Sequence, residues 1–306
     1  MDKIAVPRKI KKVWKSQPTI EGAGVHLRRA FGNHDLPALD PFLLLDDFRS
    51  ENSADFLAGF PWHPHRGMET ITYVLDGDIE HGDSMGNKGD ISSGDIQWMT
   101  AGSGIIHQEM PKGNNKGQML GFQLWANLPA KDKMMPPRYR GIKRNEIPVV
   151  NTIQGAFVRV IAGEVEGVKG PVKDIVTDPT YLDVELPTGK TFTYSVTDGH
   201  TVFAYVIDGE AYFDCDRELF AHDAGGVNYF DMKPPCACGN GTLALYERDG
   251  NSISITTTHK SVRFLLISGK PLNEPIAWYG PIVMNTQEEL RIAFDEYRAG
   301  IFVKDN

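Results

Sequence analysis

Four polar residues in the first half of the chain have the types and the spacing to do chemistry together. His63 and His65 stand one residue apart in FPWHPHRGMET (60–70), and His107 and Glu109 stand one residue apart in AGSGIIHQEMP (101–111). In an extended strand, side chains at i and i+2 leave the same face, about 7 Å apart along it. One H-x-H on the outside of a sheet is two ordinary histidines, and one H-x-E is no stronger. Two such pairs in one small β domain, about forty residues apart, can converge inside a barrel. Three imidazoles and one carboxylate then form an N₃O set suited to Fe(II), Mn(II), Ni(II), Zn(II) or Cu(II). Such a set leaves positions open for water, substrate or dioxygen, whereas a closed structural zinc site more often uses cysteine.

The elements that must position these residues are short strands. The chain has 306 residues, enough for two domains, and its 31 glycines and 19 prolines indicate many turns. ITYVLDGDIEH (71–81) resembles FAYVIDGEAYF (203–213) at an offset of 132. Apolar runs leading into and out of Asp-Gly predict a β-hairpin in each copy. Further on, Gly94 falls on Gly226, Ile96 on Asn228 and Trp98 on Phe230. The chain therefore reads as two β domains on one plan, 1–150 and 151–306, each a sandwich or small barrel. TFTYSVTDG and RFLLIS are further strand candidates, and PAKDKMMPPRYRGIK before the boundary reads as loop. One helix is predicted at about 286–299, with Thr286 as N-cap, Glu288 and Glu289 in its first turn and Gly300 at its end. Leu290, Ala293, Phe294 and Tyr297 share its apolar face.

The repeat contains its own control. At the same offset, His63 and His65 become Ser195 and Thr197, and His107 and Glu109 become Gly239 and Gly241. The Asp-Gly residues persist while all four polar residues are gone. What folding needs stays in both copies, so the four look functional in the first.

Composition excludes several classes. A net charge of −8 argues against a broad nucleic-acid footprint. Three cysteines, Cys215, Cys236 and Cys238, are too few and odd in number for a disulfide framework, and Cys236-Ala-Cys238 alone is weak evidence of a metal or redox pair. No apolar run is long enough to span a bilayer, and the basic N-terminus lacks the apolar core of a secretory signal. These readings place the protein in the cytoplasm, with a nucleus open to it in a eukaryote. Ile10, Val13 and Trp14, between Arg8, Lys9, Lys11, Lys12 and Lys15, read as a strand with one solvated basic face.

The stretches FPWHPHRGMETITYVLDGDIEHGDSMG, GDIQWMTAGSGIIHQE and GKPLNEPIAWYGPIVMNTQEEL resemble the pirins, bicupin proteins of the cupin superfamily. The resemblance covers nearly the whole chain. It implies an all-β fold of two tandem cupin domains, the first carrying the metal and the second lacking ligands. The general cupin pattern is matched by His63, His65 and Glu69, but seven residues rather than six separate Glu69 from Gly77. In the second motif Thr100 takes the proline position and two extra residues precede His107. Pirins share these departures. The resemblance therefore implies His63, His65, His107 and Glu109 as ligands, and leaves Glu69 either orienting a ligand histidine or as a hairpin carboxylate. It implies Fe(II), with Mn, Ni, Zn, Cu and Co compatible.

The remaining candidates have structural alternatives. Trp62 and Trp98 could wall an aromatic pocket, although Trp98 reads better as core. Phe60, Met99 and Phe122 read as barrel core with some pocket exposure. His81, His200, His222 and His259 read as structural or exposed, and Gly102 and Gly104 as the turn that presents His107.

Two functions follow from the resemblance. One is a metal-dependent dioxygenase that cleaves quercetin-like flavonols with dioxygen and releases carbon monoxide, with Glu109 accepting the substrate's hydroxyl proton. The other is a metal-dependent regulatory protein with a protein partner and little turnover. A metal-dependent isomerase is a third reading, because one fold hosts many chemistries.

Overall fold

Short apolar and β-branched runs punctuated by glycine and proline form strands through most of the chain. A computed structural model describes residues 5–34, 36–213 and 237–304. The strands, in chain order, are β1 (Ile10–Lys15), β2 (Gln17–Glu21), β3 (Val25–Phe31), β4 (Phe42–Asp47), β5 (Phe60–His65), β6 (Met68–Asp76), β7 (Ile79–Asp83), β8 (Lys88–Ile91), β9 (Ile96–Thr100), β10 (Ile105–Pro111), β11 (Leu120–Asn127) and β12 (Arg138–Ile142). They continue as β13 (Val149–Asn151), β14 (Phe157–Ala162), β15 (Glu164–Val165), β16 (Val168–Lys169), β17 (Thr180–Leu186), β18 (Thr191–Ser195), β19 (Thr201–Ala211), β20 (Cys238–Gly239), β21 (Thr242–Tyr246), β22 (Ser252–Thr256), β23 (Val262–Gly269), β24 (Ala277–Tyr279) and β25 (Ile282–Met284). One α-helix among the described residues, α1 (Gln287–Arg298), follows. No helix there is long and apolar enough to cross a membrane.

The strands divide between two compact units. The unit that carries the histidines has a seven-stranded sheet, β12-β9-β6-β11-β4-β3-β2, and a four-stranded sheet, β5-β10-β7-β8. Val25, Leu27 and Val74 from the larger sheet meet Ile79 and Ile91 from the smaller in one apolar cluster. The other unit has an eight-stranded sheet running β1-β21-β19-β23-β17-β14-β13, with β20 on β19, and a separate β18-β22 pair. Its core is a continuous apolar cluster that includes Val160, Leu182, Phe192, Ala204 and Leu266.

The division corrects the expected boundaries at both ends of the chain. Residues 1–16 belong with 145–271, and 272–306 belong with 17–144. The reason is apolar burial. Strand β1 pairs with β21 and sends Ile10 and Val13 into the second unit's core, with Lys12 part-exposed and Lys11 and Lys15 exposed on its other positions. Helix α1, expected to close the second domain, instead buries Leu290 and Ala293 with Ile282, Met284 and Phe302 against Ile106 of β10. Its N-terminus is the expected one, a capping box in which Thr286 and Glu289 bond each other's backbone. Phe294 is partly buried on that face, and Tyr297 is exposed.

The Asp-Gly stretches are not hairpins. Strand β6 pairs with β9 and β11, whereas β7 pairs with β10 and β8, so Asp76-Gly77 is a corner carrying the chain from one sheet to the other. In the second unit β19 runs straight through Asp208-Gly209 with a shift of register. The correspondence of His107 and Glu109 with Gly239 and Gly241 also fails. The second unit's partner of β18 is β22, so by pairing the counterpart of β10 is β22, which buries Ile253 and Ile255. Cys215, Cys236, His222, Gly226, Asn228 and Phe230 lie outside the described residues.

Candidate metal centre

The i, i+2 reading of both pairs matches the strands that carry them. Along β10, Ile105, His107, Glu109 and Pro111 are buried and the residues between them are half-buried. Strand β5 lies antiparallel to β10 with His63 opposite His107 and His65 opposite Ile105. Two tight turns hold this geometry. A Cβ on Gly67, at φ +75°, would stand 2.0 Å from the carbonyl oxygen of Val283, and one on Gly102, at φ +50°, 2.1 Å from that of Met135. Only glycine fits either position, and Gly67 N–H donates to Gly102 O at 2.8 Å.

The three histidines meet. One ring nitrogen from each of His63, His65 and His107 lies within 4.8 Å of the others, a grouping able to hold a metal ion. His63 Nδ1 faces the carbonyl of Pro61 at 2.8 Å, and His65 Nδ1 faces that of Pro281 at 3.1 Å. A carbonyl only accepts, so each Nδ1 carries the hydrogen, and in the neutral ring Nε2 then keeps its lone pair. Those two Nε2 atoms stand 3.1 Å apart. Two nitrogens each ~2.1 Å from one ion, at right angles to it, stand about 3.0 Å apart. Both ring nitrogens of buried His107 have no hydrogen-bond partner. Burial, reinforced by the neighbouring histidines, holds His65 and His107 well below the usual imidazole range. They are therefore neutral near pH 7, the form that ligates metal. Facing lone pairs and an unpartnered buried imidazole fit a divalent cation.

Glu109 lies on the same face of β10 but outside this grouping. Its Oε1 accepts from the Thr72 hydroxyl at 2.9 Å and its Oε2 from Gln123 Nε2 at 2.9 Å. His81, read from sequence as structural or exposed, is buried beside the cluster. Its ring centroid is 5.7 Å from that of His107, and it bonds Gln97 at 2.9 Å and Asp83 at 3.3 Å. Against the opposing pull of burial, its bond and those from Asn87 hold Asp83 below the usual carboxylate range. Glu69 does not orient a histidine. It occupies the face of β6 opposite Thr72, accepts from Thr100 at 2.6 Å, and is raised above the usual carboxylate range by burial.

Comparison with known proteins gives the family. The Pirin family model matches residues 24–126, and the model of the Pirin C-terminal cupin domain matches 181–303. A pirin-like protein of Caulobacter vibrioides is 41% identical over 296 residues, 96% of this chain and 99% of its own. The chain belongs to the pirin family. It is also 40% identical over 298 residues to a Pseudomonas aeruginosa protein carried under a provisional quercetin 2,3-dioxygenase name, covering 96% of this pirin and 98% of that protein. A crystal structure of quercetin 2,3-dioxygenase from Acinetobacter baumannii is similar to it with a TM-score of 0.80 and 31% identity, over 98% of this chain and all (100%) of that one.

In this pirin, His63 and His65 open onto a cleft of ≈ 660 Å³. That lies within the size range of small-molecule sites. Phe60, Trp125, Trp278 and Tyr279 form its aromatic lining, and Glu21, Arg29, Asp46 and Gln123 join the two histidines as its polar part. Of the large apolar residues picked out from sequence, Phe60 lines the cleft, while Trp98, Met99 and Phe122 are core and Trp62 is half exposed elsewhere. Sequence reading missed Trp125, Trp278, Arg29 and Asp46. A polar residue in an otherwise apolar strand, such as Asp46 after FLLL or Gln123 between Phe122 and Leu124, was the available signal.

Proposed function

We propose that this pirin is a divalent-metal-dependent dioxygenase acting on flavonol-type substrates, with His63, His65, His107 and Glu109 as the ligand set. One observation carries the reading: two of three converging imidazoles open onto an aromatic-lined cleft large enough for a three-ring substrate. The relatives named for quercetin 2,3-dioxygenase support it. Fe(II) is the metal the family likeness favours, and the donor set equally accepts Mn, Ni, Zn, Cu or Co. When bound, the cation supplies Lewis acidity toward the substrate's enolic oxygen.

The chain's residues do the rest. Trp125 and Trp278, in tilted contact with ring centroids 6.2 Å apart, form one aromatic wall on which a planar ring packs and which excludes water from it. Thr72 and Gln123 hold the Glu109 carboxylate where it takes the substrate's hydroxyl proton. In the overall reaction both atoms of dioxygen enter the cleaved product and carbon monoxide leaves.

The test is aerobic quercetin turnover, followed as loss of visible absorbance, in metal-loaded protein, chelated protein and His63→Ala. Metal-dependent loss that disappears in the variant is the expected result. No loss in protein carrying one metal per chain sinks the dioxygenase reading and leaves the regulatory one.

A further inference from the structure

A continuous polar row crosses the large sheet of the histidine-bearing unit. Arg29 on β3 stands opposite Asp46 on β4, Asp46 opposite Gln123 on β11, Gln123 opposite Thr72 on β6, and Thr72 opposite Gln97 on β9. Burying such a row is costly unless every member is partnered and used. The second unit shows that the fold does not require it. Its strands β14, β17, β23, β19 and β21 pair in the same order, and the matching row is Val160, Leu182, Leu266, Ala204 and Ala244. All five lie in that unit's apolar core. The polar version therefore serves the site.

Part of the row already has a task, since Thr72 and Gln123 hold Glu109 and Gln97 bonds His81. Arg29 and Asp46 instead line the cleft with Trp125 and Trp278. Arg29 donates from Nε to Asp46 Oδ1 at 2.8 Å and from a terminal nitrogen to Oδ2 at 2.7 Å. Its other terminal nitrogen pairs with Glu21 at 2.8 Å. This bidentate pair takes one lone pair from each carboxylate oxygen and leaves another on each free to accept. Three of the guanidinium's five N–H donors are engaged by the two carboxylates, which fixes Asp46 with a lone pair on each oxygen available to a hydroxyl hydrogen. The adjoining indole wall favours a flat ring.

We propose that Asp46, held by Arg29, is a specificity-determining residue that accepts a hydrogen bond from a ring hydroxyl of a polyhydroxylated planar aromatic, remote from the hydroxyl that faces the histidines. This rests on reading the histidine cleft as the substrate site. The double variant Arg29→Val with Asp46→Leu rebuilds the row as the second unit has it. It removes both charges together, so neither is left buried alone. Anaerobic titration calorimetry on metal-loaded protein compares quercetin with 3-hydroxyflavone, which keeps the reacting ring and lacks the other hydroxyls. Wild type is expected to prefer quercetin. The double variant is expected to lose about ten- to a hundredfold of its affinity for quercetin and less than about twofold for 3-hydroxyflavone. Absence of preference in wild type, or a loss equal for both ligands, overturns the proposal. Should the double variant fail to fold by circular dichroism, Asp46→Asn, which keeps the shape of the wall, is expected to lower the same ratio, and an unchanged ratio overturns it. Binding is read without turnover. Selective binding with no catalysis sinks the dioxygenase reading alone.

Discussion

His65 donates its Nδ1–H to the carbonyl of Pro281, 3.1 Å away and 216 positions later in the chain. The C-terminal segment is thus part of the histidine site, both as the anchor of one imidazole and, through Trp278 and Tyr279, as cleft wall. Buried Lys133 fastens that segment. Its ammonium donates to Gly67 O at 2.8 Å, Asn127 Oδ1 at 2.6 Å and Val283 O at 3.0 Å.

Lys133→Met removes three donors and leaves their acceptors buried. The variant is expected to be less stable by about 2–4 kcal/mol, read from denaturant midpoints. Metal affinity is expected to fall about tenfold, because Gly67 leads directly out of the His65 strand and outer contacts orient ligands. Burial also lowers the Lys133 pKa to about 8 from 10.5. Between those values the unfolded chain binds the proton and the native chain does not, so raising the pH favours folding. The stability gap between wild type and Lys133→Met should widen as pH rises from about 8 to about 10.5, and a gap that is flat or narrows over that window contradicts the assignment.

The histidines make the opposite kind of pH statement at the acid end. His65 and His107 lie well below 6.5 in the fold. Below that ordinary value the unfolded chain takes up protons that the native chain refuses, so metal-free protein should lose stability as pH falls from 6.5. Thermal melts across that range, repeated on His65→Gln with His107→Gln, should show a shallower acid loss in the variant.

His107→Ala should abolish stoichiometric metal. Wild type, loaded and desalted, is expected to carry about one divalent ion per chain by elemental analysis and the variant less than about a tenth, since the proposed set of three imidazoles and Glu109 loses its buried, unpartnered imidazole. Added metal at a hundredfold excess over its dissociation constant should stabilise wild type by about 2.7 kcal/mol and leave the variant unmoved.

Gln123→Leu leaves Glu109 with one donor, Thr72. If Glu109 is the proton acceptor, turnover should drop about ten- to a hundredfold with metal content retained. A drop in metal content equal to the drop in rate would instead assign Glu109 as a ligand only.

The converse substitution tests the second unit. Leu182→Asp places a carboxylate at the position matching Asp46, where the facing residue is Val160 rather than an arginine. An unpaired buried charge should cost about 3 kcal/mol or more, seen as a lower melting temperature.

Sequence alone determined a good deal. The spacing of His63, His65, His107 and Glu109 put each pair on one strand face, because alternation in an extended chain is local geometry. The Thr286 cap and apolar stripe determined α1 for the same reason, and the motif resemblance determined the family. Tertiary structure decided what depends on pairing across the chain. Strand register put Arg29, Asp46, Gln123, Thr72 and Gln97 in one row, although no local pattern links them. Asp76-Gly77 became a corner rather than a hairpin because β6 and β7 found different partners. The terminal segments left the halves they adjoin in sequence because their apolar faces, Ile10 and Val13 at one end and Leu290 and Ala293 at the other, complete clusters formed elsewhere. Burial of apolar area depends on which surfaces meet, and chain order does not specify that.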